Sequence, residues 1–395
     1  METSSFSLPG RVLIIGGWFP PRPGGSPTVL SNLLQWFDPA DYIVATGRPA
    51  PDEPRSAPIP GAQVHHVSIN PPVHRPGHQL LNTLQIPTAA VQTAALARQS
   101  DCKAILAVFP DLQYLITAYL VHKITGLPLA AYLHDFIVEA GYGGYLGTLS
   151  RWIQPRIFRT AHPLWTMSSA MSEHLQKTYQ LNSTPLVHAY NEPIPMEPPT
   201  ADPNPGDVKL FFSGGVYNAN KASLVRIVRA AATLPNARLT LFGNNNPEML
   251  AQQGIAGPHV QLGFISNRAE LLAFMQKQEI FVSCLSWPDE SWLGENELAT
   301  IFSTKLPEYL AQGRPILIHC PSHYFIARFC LQNDCGWVVS ERSEEALVSA
   351  LREIQQNPAL RERRCRNALK TAQLFAGNRV AQQFQKGMSG ILHEN

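Results

Sequence analysis

Short apolar, β-branched runs recur along this chain at helix-length intervals, and that rhythm restricts its fold more than any other feature. VLIIG (12–16), YIVATG (42–47), AILAVF (104–109), LAAYL (129–133) and PLWTM (163–167) punctuate the first half. Helical patterns such as Leu112–Thr125 and Leu146–Thr160 fall between them. A strand that is apolar along its whole length is buried on both faces, so this alternation predicts a parallel sheet covered by helices on both sides. NEPIPMEPPTADPNPGD (191–207) then brings six prolines and no apolar periodicity. Proline at that density disfavours helix and sheet alike, and the stretch reads as a linker.

The series restarts with KLFFSG (209–214), RLTLFG (238–243), VQLGF (260–264), IFVSCLS (280–286) and PILIH (315–319). It closes in consecutive helical patterns from Ser343 to Leu392. The expected fold class is therefore α/β, with two doubly wound, Rossmann-like sheets in tandem. The first domain spans 1–190, the linker 191–207 and the second domain 208–376. Such sheets bind ligands beyond the carboxyl ends of their strands, so the chemistry is expected in the loops there, across a cleft between the domains.

A length of 395 residues suits two domains. With 31 basic against 29 acidic side chains, nothing favours a nucleic-acid partner, and any anion site must rest on a few placed cations. The six cysteines form no CxxC pair, so no metal site is expected and they read as thiols in a reducing compartment. The opening METSSFSLPGRVLIIGGWF lacks a basic segment ahead of its apolar core, and that core is too short to span a bilayer. The expected location is the cytoplasm. RWIQPRIFR (151–159) reads first as a solvated helix with one buried face, and second as a segment lying on anionic lipid.

Several loops after strands carry candidate chemistry. Gly24 and Gly25 precede a helix, where glycines let backbone N–H groups approach an anion and the helix dipole adds attraction; the plain alternative is a turn. Neither GxGxxG nor GxxxxGK[ST] occurs there, which counts against dinucleotide and ATP readings. His134 and Asp135 follow the LAAYL strand. His134 is placed to donate to a sugar hydroxyl and to titrate near neutrality, and Asp135 to accept a proton, unless they merely fill a polar pocket and cap a turn. Lys221 opens a helix after SGGVYNAN, where a cation opposes the helix dipole unless an anion is bound. In FSTKLPEYLAQGRPILIH (302–319), Ser303 and Thr304 cap a predicted helix with Lys305 in its first turn and Gly313 past its end. Hydroxyls, N–H groups and a lysine there suit a diphosphate, and Glu308 suits the two hydroxyls of a ribose; its plain alternative is a first-turn glutamate favouring the dipole.

Taken together, PPRPGG, LHD, SGG…K and STKLPEYLAQGRPIL, in that order over nearly the whole chain, resemble the family-4-type glycosyltransferases of GT-B fold. The resemblance implies a nucleotide-diphosphate-sugar donor such as a UDP-sugar, held mainly by the second domain. It also implies transfer to an acceptor hydroxyl with retention, no metal and no cofactor beyond the donor. The C-terminal helix (377–395 with its tail) would cross back to the first domain. By the same resemblance Gly24, Gly25 and Gly214 approach the diphosphate, His134 is the cleft histidine and Lys221 the phosphate lysine. Gly263, Phe264 and Ile265 meet the base, and Glu308 is the second glutamate of a pair. Two positions depart from the pattern. Gly215 stands where the family often has arginine, and Thr300 where the first glutamate would fall; Lys305 is the expected substitute cation. The acceptor is left open among sugars, lipid-linked and small molecules, with contact to a membrane surface also open. A nucleotide-sugar epimerase or hydrolase, and a non-catalytic GT-B partner, are the alternative functions.

Overall fold

The computed structural model describes residues 6–22, 24–49, 57–69, 78–109, 111–141, 143–200 and 208–393. The chain divides into two compact units, Met1–Asn191 with Phe375–Asn395, and Glu192–Leu374. Of the proline-rich segment, 201–207 lie outside the described residues. The described part from Glu192 onward groups with the second unit, where Glu197 pairs with Arg366 at 2.5 Å.

The first unit runs β1 (Val12–Ile15), α1 (Gly25–Leu34), β2 (Tyr42–Thr46), β3 (Gln63–His66), α2 (His78–Gln99), β4 (Ala104–Phe109), α3 (Leu112–Thr125), β5 (Leu129–Leu133), α4 (Gly144–Thr160), β6 (Leu164–Thr166), α5 (Ser169–Tyr179) and β7 (Thr184–Pro185). Its strands are ordered β3-β2-β1-β4-β5-β6-β7, all parallel. β1, β2, β4, β5 and β6 are buried at every position, which is why their sequences are continuously apolar.

The second unit runs β8 (Val208–Ser213), α6 (Lys221–Ala232), β9 (Ala237–Phe242), α7 (Pro247–Gln252), β10 (Val260–Gly263), α8 (Arg268–Met275), β11 (Ile280–Cys284), α9 (Glu295–Thr300), α10 (Leu306–Ala311), β12 (Ile316–His319), α11 (Phe325–Gln332), β13 (Trp337–Val339), α12 (Glu344–Gln356) and α13 (Pro358–Ala372). Its parallel order is β10-β9-β8-β11-β12-β13.

The closing helix, α14 (Gly377–His393), belongs to the first unit. It buries Val380, Ala381, Phe384, Met388 and Ile391, a stripe at helical spacing, and packs on α1. Phe384 meets Phe37 edge-on at 5.4 Å and Trp165 at 5.1 Å.

Candidate active site

Each sheet reverses its strand order once, between β1 and β4 in the first unit and between β8 and β11 in the second. Loops leaving neighbouring strands at such a switch point go in opposite directions and open a crevice beyond the strands' carboxyl ends. Several candidate residues lie in the connections that leave these strands, whereas His134 and Asp135 follow β5 and Phe264 and Ile265 follow β10.

In the second unit, β8 runs into Gly214, whose φ of 123° is open to glycine and costly for other residues. Asn220 then ties the loop, its amide donating to Gly215 O at 3.1 Å while its oxygen accepts from Tyr217 N at 3.0 Å. Asn245 bonds Val216 in both directions, at 2.7 and 2.8 Å. Lys221 follows as the first residue of α6, with no side-chain cap on that helix.

Across the switch point, Lys305 stands between α9 and α10, in the connection from β11 to β12. A Cβ built on Gly214 would lie 3.5 Å from Lys305 Cε, so the lysine's stem reaches the β8 loop. Tyr309 of α10 accepts from Ser213 N at 2.8 Å, fixing that helix against the end of β8. Asn218 accepts from Ser291 Oγ at 2.7 Å and Trp292 N at 2.5 Å, joining the two loops again. Behind them Arg226 of α6 grips Glu290 with both Nη atoms, at 2.6 and 3.0 Å, and donates to His319 Nε2 at 3.0 Å. The β8 loop that leads into Lys221 is thus bonded both to the loop after β11 and to α10, which follows Lys305.

The helix bearing Glu308 differs from expectation. Lys305 is its cap, Ser303 Oγ accepts from Lys305 N at 3.3 Å, and α10 is only six residues long, so its dipole is small. Glu308 is buried, and its carboxylate is engaged by Arg268 Nη1 at 2.5 Å. Neither reading of Glu308 foresaw this partner. The signal was present, because Arg268 is a cation opening α8, the same conflict with the dipole that marked Lys221. Arg268 also lies 3.6 Å from Glu192.

Thr300 is buried and donates to Asn296 O and Glu297 O of its own helix. A Cβ on Gly215 would meet nothing within 4 Å among the described residues. Phe264, just beyond β10, is 62% exposed, with Ile265 half-buried beside it.

In the first unit, Gly24 has φ 141° and precedes α1, and both it and Gly25 are exposed; Pro23 lies outside the described residues. His134 leaves β5 with its N–H on Phe109 O at 3.0 Å and its ring edge-on to Tyr132 at 4.4 Å. It is buried, and neither ring nitrogen has a hydrogen-bond partner among the described residues. Burial, reinforced by His188 nearby, lowers its pKa to about 3. The expectation that it titrates near neutrality is therefore corrected: this imidazole is neutral at physiological pH. Asp135 beside it is half-buried.

The loop after β4 adds a residue that the motifs did not single out. Asp111 caps α3, accepting from Gln113 N at 3.1 Å, and burial pushes its pKa up to about 6 against the pull of backbone N–H groups and Arg22. Arg22 is itself buried and donates to Gly17 O at 2.6 Å. Its position at a strand's carboxyl end was the available signal. A carboxyl whose folded pKa is raised contributes stability below its unfolded pKa and loses it as pH rises through the folded value. Between pH 4 and 7 that loss is on the order of 3 kcal/mol, from about 1.4 kcal/mol per unit. Asp111→Asn keeps an accepting oxygen for the cap. Its denaturation midpoint should therefore gain on the wild type as pH rises from 4.5 to 7.5; parallel pH profiles would contradict the raised pKa.

Among the described residues, no group of three or more His, Cys, Asp or Glu side chains is placed to hold a metal.

Residues 201–371 match the family model described as Glycosyl transferases group 1. The matched residues all fall within the second unit. No curated protein matches the chain in sequence. Among solved structures, sucrose-phosphate synthase from Thermosynechococcus elongatus is similar with TM-score 0.72 at 14% identity, over 98% of this chain and 100% of that one. HepE from Anabaena, solved with UDP, is similar with TM-score 0.69 at 12% identity, over 96% and 100%. WaaG, a glycosyltransferase involved in lipopolysaccharide biosynthesis, gives 0.60 at 14%, over 96% and 100%. At these identities the likeness establishes the fold, which is GT-B. The matched residues include Lys221, Phe264, Ile265, Ser303, Thr304, Lys305 and Glu308, and the family match together with the fold supports glycosyl transfer.

Proposed function

We propose that the chain transfers a glycosyl group from a nucleoside-diphosphate sugar, a UDP-sugar first of all, to an acceptor hydroxyl with retention of configuration. The observation that carries this reading is the reach of the Lys305 stem to Gly214, in the loop that leads into Lys221 at the start of α6, with the buried Glu308 carboxylate on the helix that follows Lys305. HepE, similar in fold, has been solved with UDP and with UDP-glucose, which favours that donor class.

In this reading Glu308 takes the ribose hydroxyls, Phe264 and Ile265 meet the base, and Gly24, Gly25 and Gly214 bring backbone N–H groups to the diphosphate. As the anomeric C–O bond breaks, negative charge grows on the leaving diphosphate and the sugar becomes oxocarbenium-like. Lys221 and Lys305, with hydrogen bonds from Ser303 and Thr304, meet that charge. Fixed donors of this kind contribute on the order of 3 kcal/mol each to the transition state. The acceptor oxygen bonds to the anomeric carbon on the same face, and its proton passes to the leaving phosphate. Neutral His134 orients the sugar through a hydrogen bond, and Asp135 binds an acceptor hydroxyl.

A cytoplasmic location belongs to the same proposal, in keeping with six buried free thiols. So does independence of divalent metal, since protein cations stand at the diphosphate and no DxD occurs in the sequence.

The test is to incubate full-length protein with UDP-sugars in excess EDTA and follow release of the nucleoside diphosphate. Release that persists in EDTA, and that an added acceptor accelerates, is expected. Activity abolished by EDTA and restored only by magnesium or manganese would overturn metal independence. Rapid release of free sugar, indifferent to acceptors, would favour a hydrolase, and silence with every donor a non-catalytic partner, for which Gly215 and Thr300 speak.

A further inference from the structure

Three helices of the first unit form one layer, α3 packing against both α2 and α4. None of the 22 residues of α2, the 14 of α3 or the 17 of α4 is acidic. At the chain's density of 29 acidic residues in 395, several would be expected there. The flanking acids do not supply the missing charge to this face. Asp101 pairs with Lys103 at 2.5 Å, Asp111 is a buried cap, and Glu139 is buried against His174, Tyr179 and Gln154.

The outward side of the same layer is unusually apolar. Of the 14 large hydrophobics exposed among the described residues, seven lie on these three helices. On α2, Leu80 (52%), Leu84 (69%) and Val91 (63%) are exposed at helical spacing, with Leu81 beside them. Arg98 extends that stripe and donates to Ile124 O of α3 at 3.0 Å. On α4, Tyr145 and Trp152 are exposed on the face that also carries Arg151, Arg156 and Arg159, and the Arg156 guanidinium lies 4.2 Å from the Trp152 ring centre. The opposite face of α4 buries Ile153, Ile157 and Phe158.

We propose that the outer face of α2, α3 and α4 is a docking surface for an anionic lipid bilayer. Exposed apolar patches of this kind mark interaction sites. Aliphatic and aromatic side chains beside arginines, with no acidic residue among them, match the boundary between acyl chains and anionic headgroups. A second copy of the chain is a poor occupant, because like faces would bring cations against cations. No helix among the described residues is long and apolar enough to cross a membrane, so the contact is with its surface. α4 opens just after the loop bearing His134, so a docked protein would present that loop to an acceptor held in the bilayer. This consequence rests on the proposed function, whereas the docking itself does not.

The test is co-sedimentation of full-length protein with vesicles of phosphatidylcholine alone or with about one third phosphatidylglycerol, at low and physiological salt. Two variants are compared with wild type, L84E/V91E on α2 and R151E/R156E on α4, with thermal unfolding confirming that each is folded. Wild type should sediment with the anionic vesicles, less so as salt rises, and stay free of phosphatidylcholine alone. Each variant should lose at least about tenfold in partitioning, given roughly fivefold for each cation near such a surface. Wild type failing to bind anionic vesicles, binding both vesicle types equally, or binding no better than the folded variants would overturn the proposal. A dimer that only L84E/V91E dissolves, without vesicle binding, would assign the α2 stripe to a second copy and overturn it too.

Discussion

Lys221→Ala and Lys305→Ala should each lower turnover about a hundredfold while nucleotide affinity falls much less. The diphosphate already carries two negative charges in the bound donor. The further charge on its leaving oxygen appears only as the anomeric bond breaks, so loss of a lysine aimed at that oxygen registers in kcat more than in binding. Gly215 occupies the place where the family resemblance leads one to expect arginine, and the Lys305 stem reaches Gly214. In the proposed function both lysines act on one phosphate group, so the double variant should lose less than the product of the single losses. Donor hydrolysis measured on folded proteins gives the comparison without a known acceptor. Full turnover in Lys305→Ala alongside a dead Lys221→Ala would return Lys305 to a surface role and remove the compensation idea.

Glu308→Gln should weaken nucleotide binding by about 1.5–3 kcal/mol, the range for hydrogen bonds to a charged group, or some ten- to a hundredfold. In the free protein the carboxylate is buried and held by Arg268, which is itself partly in water. A carboxylate already positioned by a cation is ordered before the ribose arrives. The fold should survive the change, because Arg268 keeps solvent and the Glu192 carboxylate at 3.6 Å as partners. Calorimetric titration with UDP measures the effect. An affinity equal to wild type in a folded variant would make Glu308 a structural partner of Arg268 and nothing more.

How far these features were legible follows from where each residue lies. Strands β1, β2, β4, β5, β6 and β11 could be read because burial on both faces forces an unbroken apolar run. β3 could not, since Gln63–His66 is a largely exposed edge with only Val64 apolar, and β13 is too short to show a pattern. α2 was unreadable for a different reason. Its inward face is made of small residues such as Ala89, Ala90, Ala94 and Ala97, while its outward face carries leucines, so no amphipathic contrast survives.

At the site, Lys221, Lys305 and Glu308 were visible because each is a charge at a loop or helix start. Arg268 carried the same signal at the start of α8, but its pairing with Glu308 spans 40 residues of sequence and is not encoded locally. The neutrality of His134 and the raised pKa of Asp111 come from burial, which sequence position alone does not give.

The central claim, that the second unit holds a nucleoside diphosphate and its sugar, is tested most directly by thermal unfolding across a panel of nucleoside diphosphates and nucleotide sugars. A ligand at about 100 times its dissociation constant adds roughly 2.7 kcal/mol to the stability of the state that binds it. UDP and at least one UDP-sugar should raise the unfolding midpoint in EDTA, and the same ligands should do so far less in Glu308→Gln. A panel in which no nucleoside diphosphate or nucleotide sugar shifts the wild-type midpoint, with or without divalent metal, would contradict the account.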